Sequence, residues 1–161
     1  MIVILHKKIL EIGSWHGRST RVLAENTTGV VYAVDMWNGY FQPQFYKSAQ
    51  QNNGDHAFLE FLKNNGDLID KGKIIPIRIH SGTANWVFKQ LGIKFDMIFI
   101  DGDHEYEGIR SDIIGAKSLL ADGALLCGHD YLYLVGVQRA VNELVPGYAV
   151  EQKTSIWYRK L

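Results

Sequence analysis

Five short stretches of this chain are rich in apolar residues: Lys8 to Ile12, Val30 to Asp35, Ile74 to His80, Phe95 to Asp101 and Ala124 to His129. Most are near-continuous runs of Val, Ile, Leu and Phe, the pattern of strands covered on both faces in a parallel sheet. Between them the periodicity becomes helical. A short helix is predicted after Ser19, a longer one from Asp55 to Asn65, a third near Asn85 to Leu91 and a fourth from about Glu105 to Leu120. Strands and helices in alternation predict an α/β fold with a parallel sheet. Val135 to Val145 predicts a further helix, and the closing GYAVEQKTSIWYRK predicts two strands joined by a tight turn around Lys153.

Local punctuation refines this picture. Asp55 is placed to cap the long helix and Gly66 to end it, so the Asn-Asn-Gly-Asp sequences at 52–55 and 64–67 read as capping and turn chemistry. Pro76 removes a ladder donor, which places the third strand at the rim of the sheet.

Composition then narrows the class. A chain of 161 residues holds one full core, so residues 1–161 read as one domain. Seventeen basic residues balance seventeen acidic ones, which argues against nucleic acid or an anionic membrane as partner and favours a small, near-neutral ligand. The first five residues are apolar but too few for a membrane span or a signal segment. The single cysteine, Cys127, lies in an apolar run where a buried, inert thiol is expected, and a cytoplasmic location follows.

The candidate chemistry begins at EIGSWHGRST, residues 11–20. A nucleotide-triphosphate loop needs Lys and a hydroxyl directly after its last glycine, whereas Gly17 is followed by Arg18 and Ser19. A dinucleotide fingerprint needs three glycines, and only Gly13 and Gly17 are present, which weakens that reading without removing it. What remains is a loop that lets a ligand approach the backbone at the end of the first strand. Asp35 ends the second strand, 22 residues after Gly13, where a carboxylate can accept both hydroxyls of a ribose. Glu11 is placed either to reach the amino-acid part of such a ligand or to stand as a solvated carboxylate.

A second group gathers on the same rim. Asp101, Asp103 and His104 follow the fourth strand, and His129 and Asp130 follow the fifth. Neighbouring strands stand about 5 Å apart, so the two groups can meet, and carboxylates with a histidine suit magnesium, calcium or manganese. The structural alternative is a turn in which Asp103 or His104 caps the following helix while His129 ends a strand.

LEIGSWHGRST, VYAVDMW, FDMIFIDGDHEYEGIRSDI, LLADGALLCGHDY and GVQRAVNEL occur in order across residues 8 to about 158, and together they resemble the class I S-adenosylmethionine-dependent methyltransferases related to macrocin O-methyltransferase. The resemblance implies a Rossmann-like methyltransferase fold, a mostly parallel twisted sheet with a C-terminal antiparallel strand and helices on both faces. It implies S-adenosylmethionine at Glu11, Gly13, Ser14, Gly17, Asp35, Met36 and Asp101, with adenine near Ser81, Gly82 and Thr83. It further implies a metal, Mg2+ by preference, on Asp101, His129 and Asp130, although His129 departs from the carboxylate often found there. Asp103 is the implied base and His104 a second candidate.

The activity so implied is O-methylation of a small hydroxylated acceptor, such as a natural-product sugar. The alternative is a cofactor-binding or non-catalytic module lacking a complete acceptor site, because relatives carry helices ahead of the first strand. The sparse cover there also points to a homo-oligomer. Trp37, Tyr40, Phe41, Phe45 and Tyr46 are candidates for a flap or for the core, Trp86 is expected to pack on the sheet, and Asp112 reads as an exposed helix residue.

Overall fold

The apolar runs form strands because they can be buried on both sides. The computed structural model describes residues 7–39, 54–151 and 153–161. Its elements, in chain order, are β1 (Lys8–Ile12), α1 (Arg18–Asn26), β2 (Val30–Asp35), α2 (His56–Asp70), β3 (Ile74–Arg78), α3 (Ser81–Gln90), β4 (Phe95–Ile100), α4 (Tyr106–Lys117), β5 (Leu120–Gly128), α5 (Val135–Leu144), β6 (Ala149–Val150) and β7 (Trp157–Lys160).

They make a seven-stranded sheet in the order β3-β2-β1-β4-β5-β7-β6. The first five strands pair in parallel, and β7 runs antiparallel to β5 and to β6. This is the arrangement the resemblance implies, a mostly parallel sheet closed by an antiparallel C-terminal strand. Pro76 lies on β3, which pairs with β2 alone, so the missing N–H costs the sheet no ladder bond. At the other end the chain turns through Lys153, which has φ 63°, and returns as β7.

Alternation along each strand feeds two separate apolar layers. Leu10, Ile12, Ile98, Ile100 and Leu126 pack with Phe88 of α3, Ile109, Ile113 and Ala116 of α4, and Val137, Ala140 and Val141 of α5. Ile9, Val31, Ala33, Met97 and Phe99 pack on the other side with Leu23 and Ala24 of α1 and Ala57, Phe61 and Leu68 of α2. Cys127 belongs to this second layer, and burial pushes its thiol up to about 12.

Several boundaries differ from the pattern reading. Helix α2 runs through Gly66 to Asp70, so the second Asn-Asn-Gly-Asp lies inside a helix. Asn65 is fully buried there and bonds the Phe61 carbonyl, and burial of this face outweighs the poor helix propensity of the run. Asp55 precedes α2 without a side-chain cap bond and instead meets Arg78 Nη1 at 2.5 Å. Helix α3 begins at Ser81, four residues before its expected start, because His80 Nδ1 accepts the Gly82 amide at 3.0 Å and caps it. Strand β5 begins at Leu120, earlier than Ala124, across an irregularity opposite Phe95 to Met97. Trp86 is 62% exposed on α3 and does not pack on the sheet. No helix among the described residues is long and apolar enough to cross a membrane.

Candidate active site

The strand order reverses direction between β1 and β4, and ligands of open α/β sheets bind beyond the carboxyl ends of strands at such a switch point. A cavity of about 380 Å³ opens there. Ile12, Val34 and Ile79 give it apolar walls, and Asp35, Ser81, Asp101, Asp103 and Asp112 bring polar groups.

The glycine loop explains how the floor forms. Gly13 has φ 87°, and a Cβ there would collide with the Asp101 backbone, so β1 and β4 deliver their loops into direct contact. Its amide donates to the Val34 carbonyl at 2.9 Å. Gly17, at φ 78°, is held just as closely by Asn65 and Phe61 of α2. Gly17 and Ser14 are joined by a 2.7 Å backbone bond that closes the turn.

Asp35 fastens the opposite lip. Its two carboxylate oxygens accept the Trp15 amide at 2.8 Å and the Trp37 amide at 2.6 Å. Both tryptophans take left-handed backbone angles, φ 42° and 53°. Trp37 is fully buried against Phe58 and Phe61, and its indole N–H donates to the Trp15 carbonyl. Trp37 is therefore core; Tyr40, Phe41, Phe45 and Tyr46 lie outside the described residues. The backbone amides of Ser14 and Met36 also turn toward this carboxylate, which lines the cavity. Burial pushes its carboxyl above the usual range, against the pull of the backbone amides.

Four side chains cluster around Asp101, the one of them that lines the cavity; His104, His129 and Asp130 stand outside its lining. His104 Nε2 lies 3.0 Å from Asp130 Oδ2 and 3.8 Å from Asp101 Oδ1, while His129 Nδ1 lies 3.0 Å from Asp130 Oδ1 and 4.0 Å from Asp101 Oδ1. Bonds to Asp101 and Asp130 push His104 up to about 9, so it holds a proton at neutral pH. The same contact draws Asp130 down, whereas burial raises Asp101.

A sequence profile described as a methyltransferase domain matches residues 10–131 of the chain. The chain belongs to the methyltransferase-domain family. Solved structures agree with the fold. An O-methyltransferase from Bacillus cereus, solved with S-adenosylhomocysteine, superposes with a TM-score of 0.68 at 16% identity, covering 97% of this chain and 74% of that one. Fibrillarin from Aeropyrum pernix, with natively bound S-adenosylmethionine, gives 0.63 at 16% identity, covering 98% and 68%. An rRNA methylase from Streptococcus thermophilus gives 0.61 at 15% identity, covering 99% and 90%. No curated protein sequence matches the chain.

Within this methyltransferase the expected site residues divide. Gly13, Asp35, Met36, Ser81, Asp101 and Asp103 line the cavity. Glu11, Ser14 and Gly17 lie beneath or behind the loop, outside the lining. Glu11 is fully buried, accepts the Thr20 hydroxyl, and is pushed up to about 7 by burial. The Gly82 amide is taken by His80, and Thr83 stands outside the cavity wall.

The metal expectation names Asp101, His129 and Asp130. The ligand atoms that converge, within 4.8 Å of one another, belong to Asp101, His104 and Asp130. His129 Nδ1 lies beside them, 3.0 Å from Asp130 Oδ1 and 4.0 Å from Asp101 Oδ1. Asp103 also has a structural duty, since its Oδ1 accepts the Glu105 amide at 2.9 Å at the entry to α4. Asp112, expected on an exposed face, is 4% exposed and bonded to Ser81. Its position three residues after Ile109, on the apolar stripe with Ile113 and Ala116, was the signal that it faces inward.

Proposed function

We propose that this chain binds S-adenosylmethionine in the cavity between Gly13, Asp35 and Ser81 and transfers its methyl group to an oxygen of a small hydroxylated acceptor. The observation that carries the reading is the cavity itself, with a glycine no side chain can replace on its floor and the Asp35 carboxylate, held by backbone amides, in its wall. Bound there, the cofactor supplies a methyl group activated by a sulfonium.

The chain's residues supply alignment and proton handling, the two demands of an in-line displacement. Asp35 accepts the ribose hydroxyls, and Gly13 lets the ligand approach the backbone. Asp103, on the cavity wall with Oδ1 engaged by the Glu105 amide, takes the acceptor's proton on Oδ2. His104 holds a positive charge between Asp101 and Asp130 and so fixes both carboxylates at the acceptor end.

A divalent cation has a fitting donor set in Asp101, His104 and Asp130, where it would lower the acceptor's pKa. It would have to displace the His104 proton. Sugar hydroxyls, the acceptor class of macrocin O-methyltransferase relatives, remain the favoured substrates.

Calorimetry with S-adenosylmethionine and S-adenosylhomocysteine, with and without Mg2+, tests the reading. Wild type is expected to bind both and Asp35→Ala to lose both. Absence of binding in wild type would refute it and favour a module without catalysis. Turnover that survives EDTA would remove the metal from the mechanism.

A further inference from the structure

Asp112 enters the cavity wall from the second turn of α4, and no step above uses it. It is 4% exposed. Ser81 Oγ donates to its Oδ1 at 2.6 Å, and this is the single hydrogen bond to the carboxyl among the described residues. Oδ2 faces the Gly102 loop, 3.6 Å from where a Cβ on that glycine would stand. No Lys or Arg lines the cavity among the described residues, and the one basic side chain in the wall, His80, has its Nδ1 committed to the Gly82 amide. A carboxyl this buried is costly to ionise: burial pushes it up to about 6, and the Ser81 hydroxyl and nearby His80 offset only part of that.

Its surroundings say what it is suited to. Ile12, Val34 and Ile79 give apolar walls against which an aromatic ring can pack, and Asp112 offers one acceptor for the ring's edge. Ser81, which holds the carboxyl, stands three residues beyond Arg78, the register partner of Asp35. A nucleoside whose sugar is held by Asp35 thus directs its base toward the mouth between α3 and α4.

Resting on the S-adenosylmethionine reading above, we infer that Asp112 selects the base of the cofactor: its Oδ2 accepts a hydrogen bond from the exocyclic amino group of adenine, and Ser81 fixes the carboxyl for that contact. A 6-oxo purine would set a carbonyl oxygen against a carboxyl oxygen, which the site rejects.

The test is calorimetric binding of S-adenosylhomocysteine and S-inosylhomocysteine to wild type, Asp112→Asn and Ser81→Ala, with thermal unfolding as the check on folding. Wild type is expected to favour the adenosyl ligand by about tenfold to a hundredfold, the value of one buried hydrogen bond against two opposed, unmet acceptors. In Asp112→Asn the Ser81 hydroxyl keeps the amide oxygen at the Oδ1 position, so the amide N–H groups replace Oδ2 and the preference reverses. Ser81→Ala narrows the preference without reversing it. A purely structural role for Asp112 would weaken both ligands alike and leave their ratio unchanged, and that result in folded Asp112→Asn would overturn the inference. Should Asp112→Asn fail to fold, an unaltered ratio in Ser81→Ala overturns it instead. Wild type binding neither ligand refutes the cofactor reading and this inference with it, whereas wild type binding both ligands equally refutes the inference alone.

Discussion

Glu11 stores a pH dependence of stability that one substitution should remove. The side chain is fully buried on the α1 side of β1, where the Thr20 hydroxyl donates to it. Desolvation dominates its environment, the hydroxyls of Ser19, Thr20 and Ser14 offset part of that, and its carboxyl rises from 4.5 to about 7. Because the folded protein holds the proton more tightly than the unfolded chain, the folded state binds more protons between those two values. Stability is therefore full below pH 4.5 and falls as pH rises through 7. A difference of roughly 2.5 units at ~1.36 kcal/mol each makes the loss about 3 kcal/mol, complete by about pH 8. Glu11→Gln keeps the shape and an acceptor for Thr20 but cannot ionise. Urea unfolding followed by circular dichroism from pH 4.5 to 8 should show wild type losing about 3 kcal/mol relative to the variant. Asp112, also raised, contributes in the same direction to both proteins and cancels in the difference. Parallel stability curves for the two proteins would show that Glu11 is not the desolvated acid described here.

Other outcomes follow from the same geometry. Gly13→Ala places a methyl group against the Asp101 backbone at a left-handed φ, and denaturant unfolding should report a loss of about 2 kcal/mol or more. Asp130→Asn removes the closest partner of His104, so an NMR titration should find the imidazole titrating well below its wild-type value of about 9; an unchanged midpoint would contradict the pairing. Cys127, buried and with its thiol at about 12, should resist a thiol reagent in the native protein and react fully in urea.

The sheet was legible because its strands are buried on both faces, and that demand leaves short apolar runs no other use. Pro76 located one edge for the same kind of reason, the loss of a ladder donor. Helix limits were harder. Gly66 reads as a stop, but the tertiary burial of Phe61, Asn65 and Leu68 carries α2 past it. At the site, Gly13 and Asp35 are visible as loop chemistry, whereas the meeting of His104 with both Asp101 and Asp130 depends on two loops that the sheet brings together, which local sequence does not encode. Asp112 departs from the expectation that a charged helix residue is solvated, and only its place on the apolar stripe with Ile109, Ile113 and Ala116 argues for burial.

The clamp at Asp35 has a thermodynamic consequence for ligand capture. Trp15 and Trp37 sit in backbone conformations that non-glycine residues avoid, tied to one carboxylate and to each other. Such strain costs roughly 1–3 kcal/mol per residue and is met once, when the chain folds. The lip of the cavity therefore arrives already ordered, and association with a ligand spends little on freezing it. Ligand association at this lip should therefore carry a small conformational-entropy penalty, which calorimetry on the wild type would read directly.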